Sequence, residues 1–286
     1  MSSAEPSAIY VAHSVADAVA ALSALGSAGR VMAGATWIMR GPLRGEPAAP
    51  CVAIGRVPEL RALDVAADCI TIGACVTHAA LARGLSGVAE VEVLAQAAAK
   101  SANPAVRSVA TVGGNLCTVG FAAADLAPAL LCLGAKVECV TASGAKRTSL
   151  DSFLATRGTM RAGTLLTRVF VSRRKRRSAH VRLPLRKAGD YPVAIVSIAL
   201  SQQADGRLDS ATVAVGSVEP AARRWAGLER AMIGMPLDPT LIAAHAAALT
   251  DEFTGRDGIE APGWYRVRVL PALVRRALES IRPHTD

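Results

Sequence analysis

Apolar and polar positions recur at both the strand and the helix period along this chain, and their order predicts a mixed α and β protein. Ile9-Tyr10-Val11 reads as a short strand. Ser14 stands three residues before Asp17, a capping-box spacing, and Val15, Ala18, Val19, Leu22 and Leu25 follow at helical intervals until Gly26. Residues 30–33 predict a strand running into Gly34-Ala35-Thr36, and Cys69-Ile70-Thr71-Ile72-Gly73 predicts another. Thr77 caps a helix through Leu81, and a further helix over 88–100 is stopped at Pro104. After Thr111-Val112-Gly113-Gly114-Asn115, an apolar helix led by Asp125 runs to Leu133, with Pro128 in its first turn. Segments 136–140 and 147–150 flank a Ser143-Gly144 hairpin turn, and 165–171 is a strand.

The texture then changes. Arg173-Arg174-Lys175-Arg176-Arg177 is a solid basic run, read as a solvated linker or subunit contact, and with Ser178 it marks the expected domain boundary. Beyond it, residues 193–202 form a long apolar strand, Asp205-Gly206 a tight turn, and 207–218 the returning partner. Helical stretches follow at 227–233, 239–252 and 263–281. Antiparallel strands followed by helices predict a second α+β unit over 178–286, after a first over 1–175.

Composition narrows the classes. The chain has 286 residues, 51% of them hydrophobic, which suits a globular protein with a substantial core. No apolar run approaches the roughly 20 residues needed to span a bilayer, and no export signal is evident, so a cytoplasmic location is expected. Six cysteines are scattered without any paired spacing, which argues against a zinc or iron–sulfur site and for reduced thiols. The net charge of +9 is largely local, and no stacking aromatics or helix-turn-helix accompany it, so nucleic acid is not expected as a partner.

Candidate chemistry lies in two glycine-bearing segments, Ala33-Gly34-Ala35-Thr36 and Thr111-Val112-Gly113-Gly114-Asn115. Small residues let main-chain N–H groups approach a diphosphate, and consecutive N–H groups form an anion-binding concavity. There is no G-x-G-x-x-G after the first strand and no phosphate-loop signature. The five histidines are dispersed, and His78 reads as a capping or packing residue. Residue spacing thus reaches a phosphate-bearing ligand and stops there.

The residues also resemble a family. Ile72-Gly73-Ala74-Cys75-Val76-Thr77-His78-Ala79-Ala80-Leu81 is similar to a segment of molybdenum hydroxylase flavoprotein subunits, the medium subunits of carbon monoxide and xanthine dehydrogenase-type enzymes. The run Ala102-Asn103-Pro104 through Gly113-Gly114-Asn115-Leu116, followed by Ala123-Ala124-Asp125-Leu126-Ala127-Pro128, is close to a signature. Lys187-Ala188-Gly189-Asp190-Tyr191, Tyr265-Arg266 and the last helix extend the likeness over nearly the whole chain.

The resemblance implies a p-cresol methylhydroxylase-type FAD-binding domain of two α+β subdomains, about 1–55 and 56–175, and a carbon monoxide dehydrogenase flavoprotein-type C-terminal domain. It implies FAD in this chain, with Val31, Met32, Ala33, Gly34, Ala35, Thr36, Trp37 and Ile38 as the first loop. Thr111, Val112, Gly113, Gly114 and Asn115 form the second, with Thr77 beside them. Asp125 reaches the adenosine half, and Leu166, Lys187, Asp190 and Tyr191 lie toward the isoalloxazine. It further implies a molybdenum-cofactor large subunit and a small subunit with two [2Fe–2S] clusters, assembled as α2β2γ2, and an external electron acceptor. This chain would then relay electrons while substrate is oxidised on another subunit. The alternative is a free-standing flavin oxidoreductase, for which no acid/base residue stands out. Three features depart from type. Ala35 replaces a usual glycine, which requires that position 35 keep a negative φ. Trp37 occupies a commonly small or acidic site, and the loop before Asp125 is one residue longer.

Overall fold

The computed structural model describes residues 9–41, 43, 45–185 and 191–281, so Lys187 and Asp190 lie outside the described residues. Its first layer comprises β1 (Ile9–Val11), α1 (Val15–Leu25), β2 (Arg30–Met32), β3 (Cys51–Ala53) and α2 (Pro58–Arg61). The strands pair in parallel in the order β1-β3-β2. Parallel pairing demands long connections, and the connection from β2 to β3 carries the first glycine segment. α1 starts as its sequence predicts: Ser14 Oγ accepts the Asp17 N–H at 3.1 Å, and the Asp17 carboxylate takes the His13 N–H at 2.8 Å. Gly26 ends it with φ 57°.

The second layer contains β4 (Leu63–Val65), β5 (Cys69–Gly73), α3 (His78–Gly84), α4 (Glu92–Lys100), α5 (Pro104–Val109), α6 (Val112–Cys117) and α7 (Leu126–Cys132). It closes with β6 (Lys136–Thr141), β7 (Gly144–Ser149), α8 (Leu150–Thr156) and β8 (Leu165–Ser172). The sheet is antiparallel in the order β4-β5-β8-β6-β7. Ile70, Ile72, Val169 and Val171 bury its inner face against Leu94, Leu116 and Leu130. Two details differ from the sequence reading. Pro104 stops α4 but also opens α5, where Asn103 Oδ1 caps the Val106 N–H at 2.9 Å. The second glycine segment is a helix start rather than a turn, because Thr111 Oγ1 accepts the Gly114 N–H at 3.1 Å.

The third layer has β9 (Arg177–Pro184), β10 (Pro192–Gln202), β11 (Leu208–Gly216), β12 (Arg223–Arg224), α9 (Ala226–Met232), α10 (Pro239–Ala248), α11 (Gly263–Arg268) and α12 (Leu270–Ser280). Its sheet is antiparallel in the order β12-β11-β10-β9. Fully buried Trp225 meets Phe253 edge-on at 5.0 Å beneath the helices. The single helix expected over 263–281 is two, divided at Val269, with Pro271 placed in the first turn of the second.

The basic run is not the solvated linker that its composition suggests. Arg173 pairs with Glu90 at 2.9 Å and reaches the Ala66 carbonyl, and Arg176 donates to the Leu133 carbonyl at 3.2 Å. Arg177 already belongs to β9, and Ser178 Oγ accepts the Val93 N–H at the start of α4. Arg174 and Lys175 stay exposed, Arg173 and Arg176 are tied to the second layer, and Ser178 just beyond the run links that layer to the third. α7 continues the junction, since Ala199 and Ala214 of the third sheet share its core.

Arg266 is fully buried, donating to the carbonyls of Val193 at 2.7 Å and Ser217 at 3.2 Å and pairing with Glu260 at 3.0 Å. Removing one partner of such a group strands the others without water. Arg266→Met is expected to cost about 3–5 kcal/mol, read as a lower midpoint in urea unfolding.

Candidate functional site

All three layers meet at one open cleft of about 1440 Å³. Val31 of β2 lines it, followed by Ala33, Gly34, Ala35, Thr36, Trp37 and Ile38 from the β2–β3 connection. Thr111, Gly113, Gly114 and Asn115 line it from the start of α6, and Asp125, Leu166 and Tyr191 complete the predicted residues found there. Met32, Thr77 and Val112 stand behind the wall. Val112 is fully buried, and Thr77 spends its hydroxyl capping α3 through the Ala80 N–H at 3.2 Å.

The glycines have separable duties. A Cβ on Gly34 would lie 1.9 Å from the Val109 carbonyl oxygen, and one on Gly113 would lie 2.9 Å from the Ala74 oxygen. Both are needed so that main chain can touch main chain, between the first and second layers at Gly34 and within the second at Gly113. A Cβ on Gly114 would meet only Thr111 Oγ1, at 3.0 Å, so its other side is open.

The two segments also differ in what they offer an anion. The N–H groups of Val112, Gly113, Gly114 and Asn115 are already bonded, to the Val76 carbonyl, the Ala74 carbonyl, Thr111 Oγ1 and the Thr111 carbonyl. Those of Gly34, Ala35 and Thr36 find no acceptor among the described residues. The two segments are therefore not equivalent: N–H groups without an acceptor lie in the first, while those at the start of α6 are spent within the protein. One correction concerns Ala35, whose φ is 60°, inside the left-handed region that its substitution for glycine seemed to forbid. The turn from Gly34 into Thr36 imposes that conformation, so Ala35 carries backbone strain of about 1–2 kcal/mol.

Side chains finish the cleft in two places. Trp37 and Phe121 lie 4.9 Å apart between ring centroids, Phe121 and Tyr191 5.3 Å, and Arg40 donates to the Tyr191 hydroxyl. The two departures noted above, Trp37 and the longer loop bearing Phe121, thus pack against each other. Elsewhere Asp125 is buried, with Arg182 Nε at 3.1 Å and His180 Nε2 at 3.5 Å. Asn115 Oδ1 accepts the Leu126 N–H at 3.2 Å, which ties α6 to α7.

Sequence reasoning missed His78 and Ser101. Both line the cleft, both are buried, and His78 Nδ1 lies 2.6 Å from Ser101 Oγ. Burial pushes the imidazole down to about 4 despite the nearby Asp125 charge, so the ring is neutral. The THA helix start gave a position for His78, but nothing nearby in sequence announced Ser101.

Residues 4–173 match the family model described as FAD binding domain in molybdopterin dehydrogenase. Residues 179–281 match the CO dehydrogenase flavoprotein C-terminal domain. The chain is 28% identical over 275 residues to the carbon monoxide dehydrogenase medium chain of Afipia carboxidovorans, covering 93% of each. It is also 28% identical over 230 residues to the 6-hydroxypseudooxynicotine dehydrogenase complex subunit alpha of Paenarthrobacter nicotinovorans, 79% of this chain and 77% of that one. A chain of carbon monoxide dehydrogenase from Hydrogenophaga pseudoflava shares the fold at a TM-score of 0.89 and 23% identity, over 97% of both chains. Fold and cleft together define an FAD-binding α+β flavoprotein. The chain belongs to the FAD-binding subunits of the molybdenum hydroxylases, the carbon monoxide and xanthine dehydrogenase family, and is an oxidoreductase component.

Two outcomes test the geometry. Ala35→Gly is expected to raise stability by about 0.5–1 kcal/mol, relieved strain exceeding the added unfolded-state entropy, whereas Gly34→Ala lowers it. Differential scanning calorimetry on the FAD-free chain reads both. For His78, the unfolded chain takes up a proton near 6.5 while the folded chain resists until about 4. Its contribution is complete above 6.5 and declines as pH falls toward 4. Urea unfolding at stepped pH should show that decline, and His78→Phe should make it shallower.

Proposed function

We propose that this chain is the electron-transfer subunit of a heterotrimeric molybdenum-dependent hydroxylase or dehydrogenase. It would pass electrons from [2Fe–2S] clusters of a small partner subunit through FAD to an external acceptor. The molybdenum cofactor and substrate oxidation would reside on a large subunit, in an α2β2γ2 assembly. The observation that carries this reading is the set of uncommitted N–H groups on Gly34, Ala35 and Thr36, residues that line the cleft of an FAD-binding domain. The cleft fits FAD: an N–H cradle for the diphosphate, an open flank at Gly114, the apolar Leu166 wall and the Tyr191 ring. When bound, FAD supplies the exchange between one-electron and two-electron carriers.

Within this reading, residues 31–38 and 111–115 hold the diphosphate region, and Thr77 supports it through its bridge to Thr111. Asp125 serves the adenosine half, with its charge offset by Arg182. Leu166 and Tyr191 serve the ring, together with Lys187 and Asp190. Exposed Val119, Leu185 and Ile259 rim the same cleft, and exposed Met39 adjoins it, which supports a partner subunit docking there. The reading also divides the chain into an FAD domain over 1–175, itself two subdomains, and a C-terminal domain over 178–286. Six free cysteines accord with a cytoplasmic location, and among the described residues no helix is long and apolar enough to cross a membrane.

The purified chain should be yellow, hold one FAD, and oxidise no substrate until its partner subunits are added. Gly114→Asp should weaken FAD binding at least about tenfold, equivalent to ~1.4 kcal/mol, measured by quenching of flavin fluorescence. A yellow chain that turns over substrate alone would favour a free-standing oxidoreductase instead.

A further inference from the structure

His78 has one ring nitrogen engaged and one not. Ser101 closes α4, and its Oγ lies 3.1 Å from the Ala98 carbonyl, one of the last-turn oxygens that a helix end leaves unpaired. The single hydroxyl proton goes to that carbonyl, so Oγ meets His78 Nδ1 as an acceptor, and the ring proton sits on Nδ1. Nε2 is then a bare lone pair. It is buried in the cleft wall and has no hydrogen-bond partner. The Thr111 carbonyl lies close enough to the ring to raise its basicity, but it makes no hydrogen bond of ordinary geometry with Nε2 and already accepts from the Asn115 N–H at 2.9 Å. A buried acceptor left unmet costs about 1–3 kcal/mol, so its retention against the cleft points to a donor that arrives with the ligand.

We infer that His78 Nε2 is a cofactor-binding acceptor, taking a hydrogen bond from a hydroxyl or amino donor of FAD, with Ser101 as the positioning residue that fixes the required tautomer. This rests on the cleft being the FAD site. Both halves of FAD carry such donors, on sugar, ribityl chain, adenine and flavin ring. Asp125, whose charge reaches the same ring, is a second acceptor in the same wall, so this part of the cleft favours donor-bearing groups over phosphate. No proton leaves either group: the imidazole stays neutral and the bond is a plain donor-to-acceptor contact.

The test combines affinity with a direct view of the tautomer. Long-range proton–nitrogen spectra of the histidine-labelled, FAD-free chain should show His78 protonated at Nδ1, and adding FAD should move the Nε2 resonance upfield. FAD titrations should show at least a tenfold loss for His78→Phe, partial recovery for His78→Gln, whose amide oxygen restores an acceptor, and an intermediate loss for Ser101→Ala. Titrating ADP and FMN separately locates the donor: a matching loss for ADP places it in the adenosine half, and for FMN in the flavin half. If His78→Phe does not fold, the wild-type spectra and Ser101→Ala still decide. An Nε2 resonance indifferent to FAD, or a folded His78→Phe that binds FAD as tightly as wild type, overturns the inference. A wild-type chain that binds no FAD overturns the cofactor site itself, a separable result.

Discussion

The site depends on one close approach, that of Gly34 to the carbonyl of Val109. Main chain from the first layer rests on main chain from the second, with no space for even a methyl group between them. Gly73 does the same against the Leu60 carbonyl, and Gly113 makes a like approach to Ala74 within the second layer. Each such glycine costs about 0.5–1 kcal/mol of chain entropy relative to alanine. What that cost secures is proximity: segments far apart in sequence are held at backbone contact, with Gly34 itself in the cleft lining.

The third layer is joined by polar rather than glycine contacts. Asp125 meets Arg182 and His180 from β9, and His180 is fixed in turn by Ser197 at 2.9 Å and, through its N–H, by Gln96 at 3.1 Å. Asp125, His180 and Ser197 are buried, so a partial network would be worse than none. The β9–β10 connection then delivers Leu185 and Tyr191 to the cleft. One carboxylate thus belongs both to the ligand wall and to the joint between layers.

Elements with a strong period were legible in the sequence: α1 with its Ser14 and Gly26 boundaries, α7 with Asp125 at its head, and the apolar run of β10. Elements fixed by tertiary contact were not. β3 is three residues long and lies between two parallel partners, too short for any period to register. β9 was hidden because its polar residues, Ser178, His180 and Arg182, point into the buried joint rather than to water. α6 contains two glycines and looks like a turn, yet its first N–H groups are held by Ala74 and Val76. The sequence named the two segments that line the cleft, but not that their N–H groups differ in having acceptors, nor that Ala35 is left-handed. His78 read only as a capping or packing residue, because the serine that its ring meets lies 23 residues away.

The shared carboxylate has a consequence for how such proteins vary over time. The two matched family models divide near residue 175, yet the pocket is assembled from both sides of that line, with Arg182 and Tyr191 contributed from beyond it. Exchanging either part for a distant relative's would pair Asp125 with a strand not shaped to neutralise it. The two parts therefore cannot be exchanged independently without disturbing the pairing of buried Asp125 with Arg182, whereas the Trp37–Phe121 contact lies wholly within the first part and would travel with it.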